Sequence, residues 1–320
     1  MAVSRSELRG LINRPDNDNL FARAGHAPAA APVLKFARRN GSVELDLPTL
    51  RSRLDAESRI LWAELCPTDR ACYTPALVDD SRELQTQLLD RFEGCSKDEI
   101  PFRWLVWTSR TPGVFSLGGD LTTFTQCIRS GDRARLTTYA HRCLEVLHDN
   151  YSGMHLPVVT VALVQGDAVG GGFESMLSND IVIAERDAKF GLPEVLFGLF
   201  PGMGGYSFLK RKLGEREARK LIEDGHTRSA DEMKELGLID VICEPGQGEA
   251  ALRTYVAENS HRIDTIRTLR RACKRVDPIT MEELVDIVEM WLDLAMQLGP
   301  TELKRMDCLA RVQERRRARG

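Results

Sequence analysis

The sequence predicts an α/β core followed by a helical C-terminal appendage, and three observations carry that reading. Strand-like and helix-like segments alternate from about residue 59 to residue 242, the order expected when helices cover the faces of a largely parallel sheet. From about residue 248 the pattern is helical to the end. Within the alternating stretch, Gly118-Gly119-Asp120 and Gly170-Gly171-Gly172-Phe173-Glu174 break the regular periods. Each glycine costs conformational entropy on folding, so such runs mark places where the backbone approaches something closely or presents its N–H groups.

Taken in order, residues 1–40 read as a poorly ordered N-terminal extension, with a turn-forming cluster at 13–19 and an Ala/Pro linker at 24–32. We assign residues 41–248 to the catalytic core and 249–320 to a C-terminal helical region. Residues 46–57 carry a modest helical pattern, so the alternating part is expected to start near Arg59. Residues 60–65 and 103–108 are candidate strands, and Thr74-Pro75 leads into a helix over 80–93. Residues 132–151 make an amphipathic helix, with Leu136, Tyr139, Cys143, Val146 and Leu147 near one face. The run 158–164 is apolar and β-branched, as a strand buried on both faces requires. A shorter strand at 181–184 and another at 238–242 close the series. No internal repeat is evident.

Composition narrows the function classes. With 42% hydrophobic and 28% charged residues and a formal net charge of -3, the chain reads as an ordinary globular enzyme with no call for nucleic acid. No run approaches the roughly 18 apolar residues of a membrane span, and the start lacks a secretory pattern, so the expected location is the cytoplasm. The eight cysteines include no C-x-x-C pair and the six histidines are dispersed, so no metal is expected. Cys127 and Cys143 have no His/Asp company in sequence, and no G-x-S-x-G elbow exists, so neither a thiol nor a serine nucleophile is expected.

The candidate chemistry sits on two acids. Glu174 follows the glycine triplet in what reads as the first turn of a helix, which places an acid and free N–H donors at a positive helix end. Glu194 stands on a second tight turn, Gly191-Leu192-Pro193-Glu194. Such a pair suits general acid and base work beside a polarised carbonyl. Pro201-Gly202-Met203-Gly204-Gly205 lacks the Lys-Ser/Thr ending of a phosphate-binding loop and reads as a helix entry lining the site. Asp120 is expected to shape its loop through hydrogen bonds to neighbouring amides, and Asp240 to be structural. Two or three of Phe173, Met176, Leu196, Phe197, Phe200 and Met203 are expected to line a tunnel at the site, with the rest in the core.

Phe115-Ser116-Leu117-Gly118-Gly119-Asp120-Leu121, Gln165 to Glu174, Lys189 to Val195 and Leu199 to Gly205 together resemble the motifs of the crotonase (enoyl-CoA hydratase/isomerase) superfamily, over roughly residues 59–290. The resemblance implies a spiral of ββα units with C-terminal helices that support a homotrimer or hexamer. It implies an oxyanion hole from the amides of Leu117 and Gly171, catalytic Glu174 and Glu194, and substrate contacts at Gly118, Gly119, Gly170, Gly172, Phe173, Met203 and Gly204. We assign Glu174 to the departing 3-hydroxyl and Glu194 to the Cα proton, although paired carboxylates titrate together and either can lead. No cofactor is implied beyond the carrier of the thioester, the phosphopantetheine of an acyl carrier protein or CoA.

Within the superfamily, the run from Gly191 to Gly204 with Gly113 to Leu121 is similar to the diffusible signal factor synthases. These dehydrate a 3-hydroxyacyl thioester on acyl carrier protein to the cis-2-enoyl form and hydrolyse it to a free acid. Two alternatives stay open: a hydratase or isomerase that leaves the thioester intact, and a catalytically silent binding protein. A regulatory protein partner is also left open. The Arg-rich tail 315–319 reads as a solvated helix end, with carrier docking there or at Lys210-Arg211-Lys212, Arg267, Arg270, Arg271, Lys274 and Arg275 as the alternative.

Overall fold

The computed structural model describes residues 35–36 and 43–318; the rest of the extension over 1–40 lies outside the described residues. Strand β1 (Lys35–Phe36) pairs antiparallel with β2 (Val43–Asp46), and β2 with β3 (Leu50–Asp55). The helical expectation for 46–57 is therefore corrected to strand. Leu47, Leu50 and Leu54 recur at helical spacing, which misleads, but Leu50, Ser52 and Leu54 are buried while Arg51 is exposed. That alternation, locked by a six-residue register against β4 (Ile60–Leu65), is a period of two.

From β4 onward the large sheet is parallel, through β5 (Trp104–Ser109), β7 (Val159–Val164), β9 (Ile181–Glu185) and β12 (Val241–Cys243). Every residue of β7 is buried, as its apolar run foretold. The last strand starts later than expected: Leu238 and Ile239 pack in the core, and Asp240 accepts the Val182 amide at 2.8 Å before β12 begins. A second sheet of four strands runs β11 (Arg228–Ser229), β10 (Lys189–Gly191), β8 (Gly166–Val169) and β6 (Gly113–Ser116).

The chain gives one strand to each sheet and then a helix, in repeated turns. Helix α1 (Pro75–Phe92) is capped by the Thr74 hydroxyl and starts on Pro75, five residues before the expected helix at 80–93. After β5 and β6 come α2 (Leu121–Ser130) and α3 (Arg133–Tyr151); after β7 and β8 comes α4 (Gly171–Leu177). After β9 and β10 come a short 3-10 helix (Pro193–Phe197), α5 (Gly205–Leu213) and α6 (Glu215–Asp224), then α7 (Ala230–Glu235) between β11 and β12. This is the spiral of ββα units that the motifs imply. Helices α8 (Gly248–Asn259), α9 (Ile263–Val276), α10 (Met281–Ala295) and α11 (Pro300–Ala318) complete the chain.

The small sheet positions the site. Ser116 pairs with Ala168 and Gly191 with Val169, all in parallel strands. The three segments that leave β6, β8 and β10, carrying Gly118-Gly119, Gly170-Gly171 and Glu194, therefore emerge side by side. Ligands of open α/β sheets gather at such carboxyl ends.

Candidate active site

A cavity of about 240 Å³ opens where those three segments meet, lined by Leu117, Gly118, Gly119, Gly170, Gly171, Glu174, Glu194 and Met203 among others. Gly170, at φ 57, turns the chain from β8 into α4, and its amide donates to Gly191 O at 2.8 Å. Gly171 is the first residue of α4, so its N–H has no partner within the helix. A Cβ on Gly171 would lie 3.2 Å from the Gly119 nitrogen, which sets the two glycines side by side. Among the described residues no acceptor meets the Gly119 or Gly171 amide.

Leu117 does not supply the second donor expected of it. It lines the cavity, but its amide donates to Ala71 O at 2.8 Å. The neighbouring amides are also engaged: Gly118 donates to Ser116 Oγ at 3.3 Å and Asp120 to Tyr139 Oη at 3.2 Å. The free pair is Gly119 and Gly171. Asp120 holds the loop from below: it is fully buried, its carboxylate accepts the Thr122 amide and Thr123 hydroxyl, and Arg70 pairs with it at 3.0 Å. That is the shaping role its position predicted.

The two acids are held differently. Glu174 projects from α4, is 1% exposed, and accepts through Oε1 from the Met203 amide at 2.9 Å and the Gly205 amide at 2.8 Å. Burial raises its pKa to about 7, with those two amides pulling the other way. Glu194 stands at the start of the short 3-10 helix, with its carboxyl against Gly170, where a Cβ would come 2.9 Å from Oε1. Its Oε2 is buried without a hydrogen-bond partner among the described residues. Burial, and then the negative charge of Glu174, push its pKa well above the ordinary glutamate value. Near neutral pH the pair therefore shares one proton, which rests on Glu194, while Glu174 is the more readily ionised.

Glycine loops, acids and spiral fold occur in the order of one family, and its sequence model, described as enoyl-CoA hydratase/isomerase, matches residues 80–293. The chain belongs to the enoyl-CoA hydratase/isomerase family. Among curated family members it is 32% identical over 173 residues to the mitochondrial methylglutaconyl-CoA hydratase of Homo sapiens, covering 52% of this chain and 48% of that one. The Rattus norvegicus counterpart is also 32% identical, with 52% and 51% covered. The chain thus spans about half the length of the curated relatives it matches. Among solved structures, enoyl-CoA hydratase from Bacillus halodurans superposes with a TM-score of 0.66 at 25% identity, covering 81% of this chain and 99% of that one. Pseudomonas aeruginosa DspI superposes with a TM-score of 0.60 at 25% identity, covering 84% and 98%.

Three expected substrate contacts of this family member lie elsewhere. Gly172 faces Ser116, where a Cβ would come 2.1 Å from the carbonyl oxygen, so it lets α4 pack on β6. Phe173 is fully buried, its ring 6.2 Å from that of Phe190. Gly204, at φ 94, enters α5 against Phe208 and Leu284. Of the tunnel candidates, Phe197 and Met203 line the cavity; Met176 is core, and Leu196 is 54% exposed.

Sequence reasoning missed the far wall. Trp291 of α10 and Leu309, Val312, Gln313 and Arg316 of α11 line the same cavity from far along the chain. Leu309 and Val312 are part-exposed, so the cavity opens along α11. Arg316 is not simply solvated, because it pairs with Asp167 at 2.8 Å and donates to Gly113 O at 2.9 Å. Burial pushes the Cys143 thiol up to about 12, which leaves it in its non-nucleophilic form. Among the described residues there is no group of three His, Cys, Asp or Glu that could hold a metal, and no helix long and apolar enough to cross a membrane.

Proposed function

We propose that the protein dehydrates a 3-hydroxyacyl thioester and then hydrolyses the enoyl product to a free cis-2-unsaturated acid, a signal of the diffusible type. The observation that carries the reading is the pairing of two buried acids with two unengaged amides in one cavity. The thioester oxygen sits between the Gly119 and Gly171 amides, which hold the charge that grows as the Cα proton leaves. Dehydration draws on the minor arrangement of the coupled pair, with the shared proton on Glu174: Glu194, as carboxylate, takes the Cα proton, and Glu174, as acid, protonates the departing 3-hydroxyl, which leaves as water. The pair ends with its single proton on Glu194, the resting arrangement, so hydration is the same path reversed.

In the second step a carboxylate-activated water attacks the thioester carbon. The C–S bond breaks, the thiol takes a proton, and the acid is released. No cofactor enters beyond the carrier, which is the phosphopantetheine of an acyl carrier protein or CoA. Arg311 and Arg315, exposed on the helix beside the cavity opening, support an acidic carrier. The similarity to DspI across most of both chains, together with the run from Gly191 to Gly204, supports the signal-synthase branch. A homotrimer or hexamer is proposed with it, and the described chain belongs to the cytoplasm on this reading.

The second reading is a hydratase or isomerase that keeps the thioester, favoured by the 32% identity to methylglutaconyl-CoA hydratase. Mass spectrometry of products from 3-hydroxydodecanoyl thioesters, on carrier protein and on CoA, separates the two. Free cis-2-enoic acid, absent with Glu174→Gln, supports the first reading; enoyl thioester without free acid supports the second. No turnover of either substrate would refute both.

A further inference from the structure

We infer that Gln313, on the C-terminal helix α11, is a positioning residue that aims the oxyanion-binding amide of Gly119. The inference rests on the dehydratase reading and adds a residue beyond the family match, which ends at residue 293. Gln313 is 2% exposed and lines the cavity. Its Nε2 donates to Leu117 O at 3.0 Å and to Gly119 O at 2.8 Å. Both acceptors are carbonyls, so the amide nitrogen must face the loop and both of its hydrogens are used. Between them, the Gly118 carbonyl accepts the Tyr73 amide at 2.8 Å. Three successive carbonyls around the peptide that carries the Gly119 N–H are thus held from outside the loop.

A closed ring of hydrogen bonds joins helix to loop. Ala71 N donates to Gln313 O at 3.2 Å, Leu117 N donates to Ala71 O at 2.8 Å, and Gln313 Nε2 returns to Leu117 O. Arg316, on the same face of α11, fastens the helix to Gly113 of β6 and Asp167 of β8. The loop needs such a clamp, because Gly118 sits at φ 91 and Gly118-Gly119 has no side chains to restrain it. An oxyanion donor lowers a barrier only when its direction is fixed before the charge develops. The carbonyl oxygen of the Gln313 side chain has no partner among the described residues, so its nitrogen alone accounts for its placement. The C-terminal helix therefore completes the oxyanion hole as well as walling the cavity.

The test compares the full chain with Gln313→Met and Gln313→Glu, using turnover of a 3-hydroxyacyl thioester and the absorbance of a bound cinnamoyl thioester. The absorbance shifts to the red when the carbonyl is polarised. Gln313→Met should lower kcat by about 10- to 100-fold, leave KM within about threefold, lower the melting temperature without unfolding the protein at assay temperature, and shrink the red shift. Gln313→Glu should be equally impaired at high pH and recover relative to the parent as pH falls, because the protonated acid regains one donor. A Gln313→Met protein with kcat within about twofold of the parent, or with its loss confined to KM, would overturn the inference. Should Gln313→Met fail to fold, a Gln313→Glu rate ratio that stays flat with pH overturns it instead. A parent enzyme that turns over no thioester refutes the dehydratase reading, and the red shift alone then decides the clamp.

Discussion

The start of α4 and the short helix after β10 each deliver one glutamate to the same cavity, but they treat it in opposite ways. Glu174 is met by two backbone amides, from Met203 and Gly205, whereas one oxygen of Glu194 is buried with nothing to pair it. Amide donors favour the ionised form and burial without them favours the acid, so two chemically identical side chains hold different protons at one pH. The two amides on Glu174 pre-organise it to carry charge, whereas nothing among the described residues offsets the burial of the Glu194 oxygen. The lesson is that the backbone, rather than the residue type, distributes acid and base roles.

The largest effects should come from removing either acid. Glu174→Gln and Glu194→Gln should each lower kcat by about 10³-fold with little change in fold, since general acid–base groups contribute 10²- to 10⁴-fold. If only one substitution mattered, the comparison would fail. The same asymmetry has a cost in stability. Between the ordinary glutamate value of 4.5 and its folded value of about 7, the buried Glu174 is forced to ionise less readily than in the unfolded chain. The parent should therefore lose about 3 kcal/mol of stability from Glu174 as pH rises through that window, and Glu174→Gln should keep only the smaller loss that the buried Glu194 causes. Below 4.5 the two should melt alike; chemical denaturation at pH 4 and pH 8 reads the difference. A pH-independent difference would contradict the assignment.

Next in size is the oxyanion loop. A Cβ at Gly119 would come 2.6 Å from the Phe124 ring, which packs against Tyr139 and Trp291, so Gly119→Ala must shift either that ring or the loop that carries the amide. Its kcat should fall about 10²-fold, whereas a change at Leu117 that keeps the backbone in place should cost little. Smallest is the pH dependence of the rate. The singly protonated pair is the working form, so kcat/KM should rise about tenfold per pH unit up to about 7 and fall again only where Glu194 ionises.

How much of this was legible in the sequence divides along the chain. The glycine loops and both acids could be read locally, because a triplet at 170–172 and a Gly-Leu-Pro-Glu turn are poor choices for regular structure and good ones for a site. The buried strand at 159–164 announced itself by β-branched residues alone. The choice of Leu117 as donor went wrong because free amides are defined by what their neighbours have already bonded. Ala71, 46 residues earlier in the chain, takes that N–H. Gln313 and Trp291 were silent for the same reason: helices carry them to the cavity, and no local pattern reports where a helix ends up. At 46–57 a leucine spacing compatible with either period was decided by pairing with β4.

The central claim, that the two glutamates act as one unit on a polarised thioester, is tested most directly by turnover of 3-hydroxydodecanoyl thioester by the double variant Glu174→Gln/Glu194→Gln. Groups that share one proton fail together, so the account predicts a rate within about tenfold of either single variant rather than one lowered by the product of the two losses. A double variant that still dehydrates at a substantial fraction of the parental rate would contradict it.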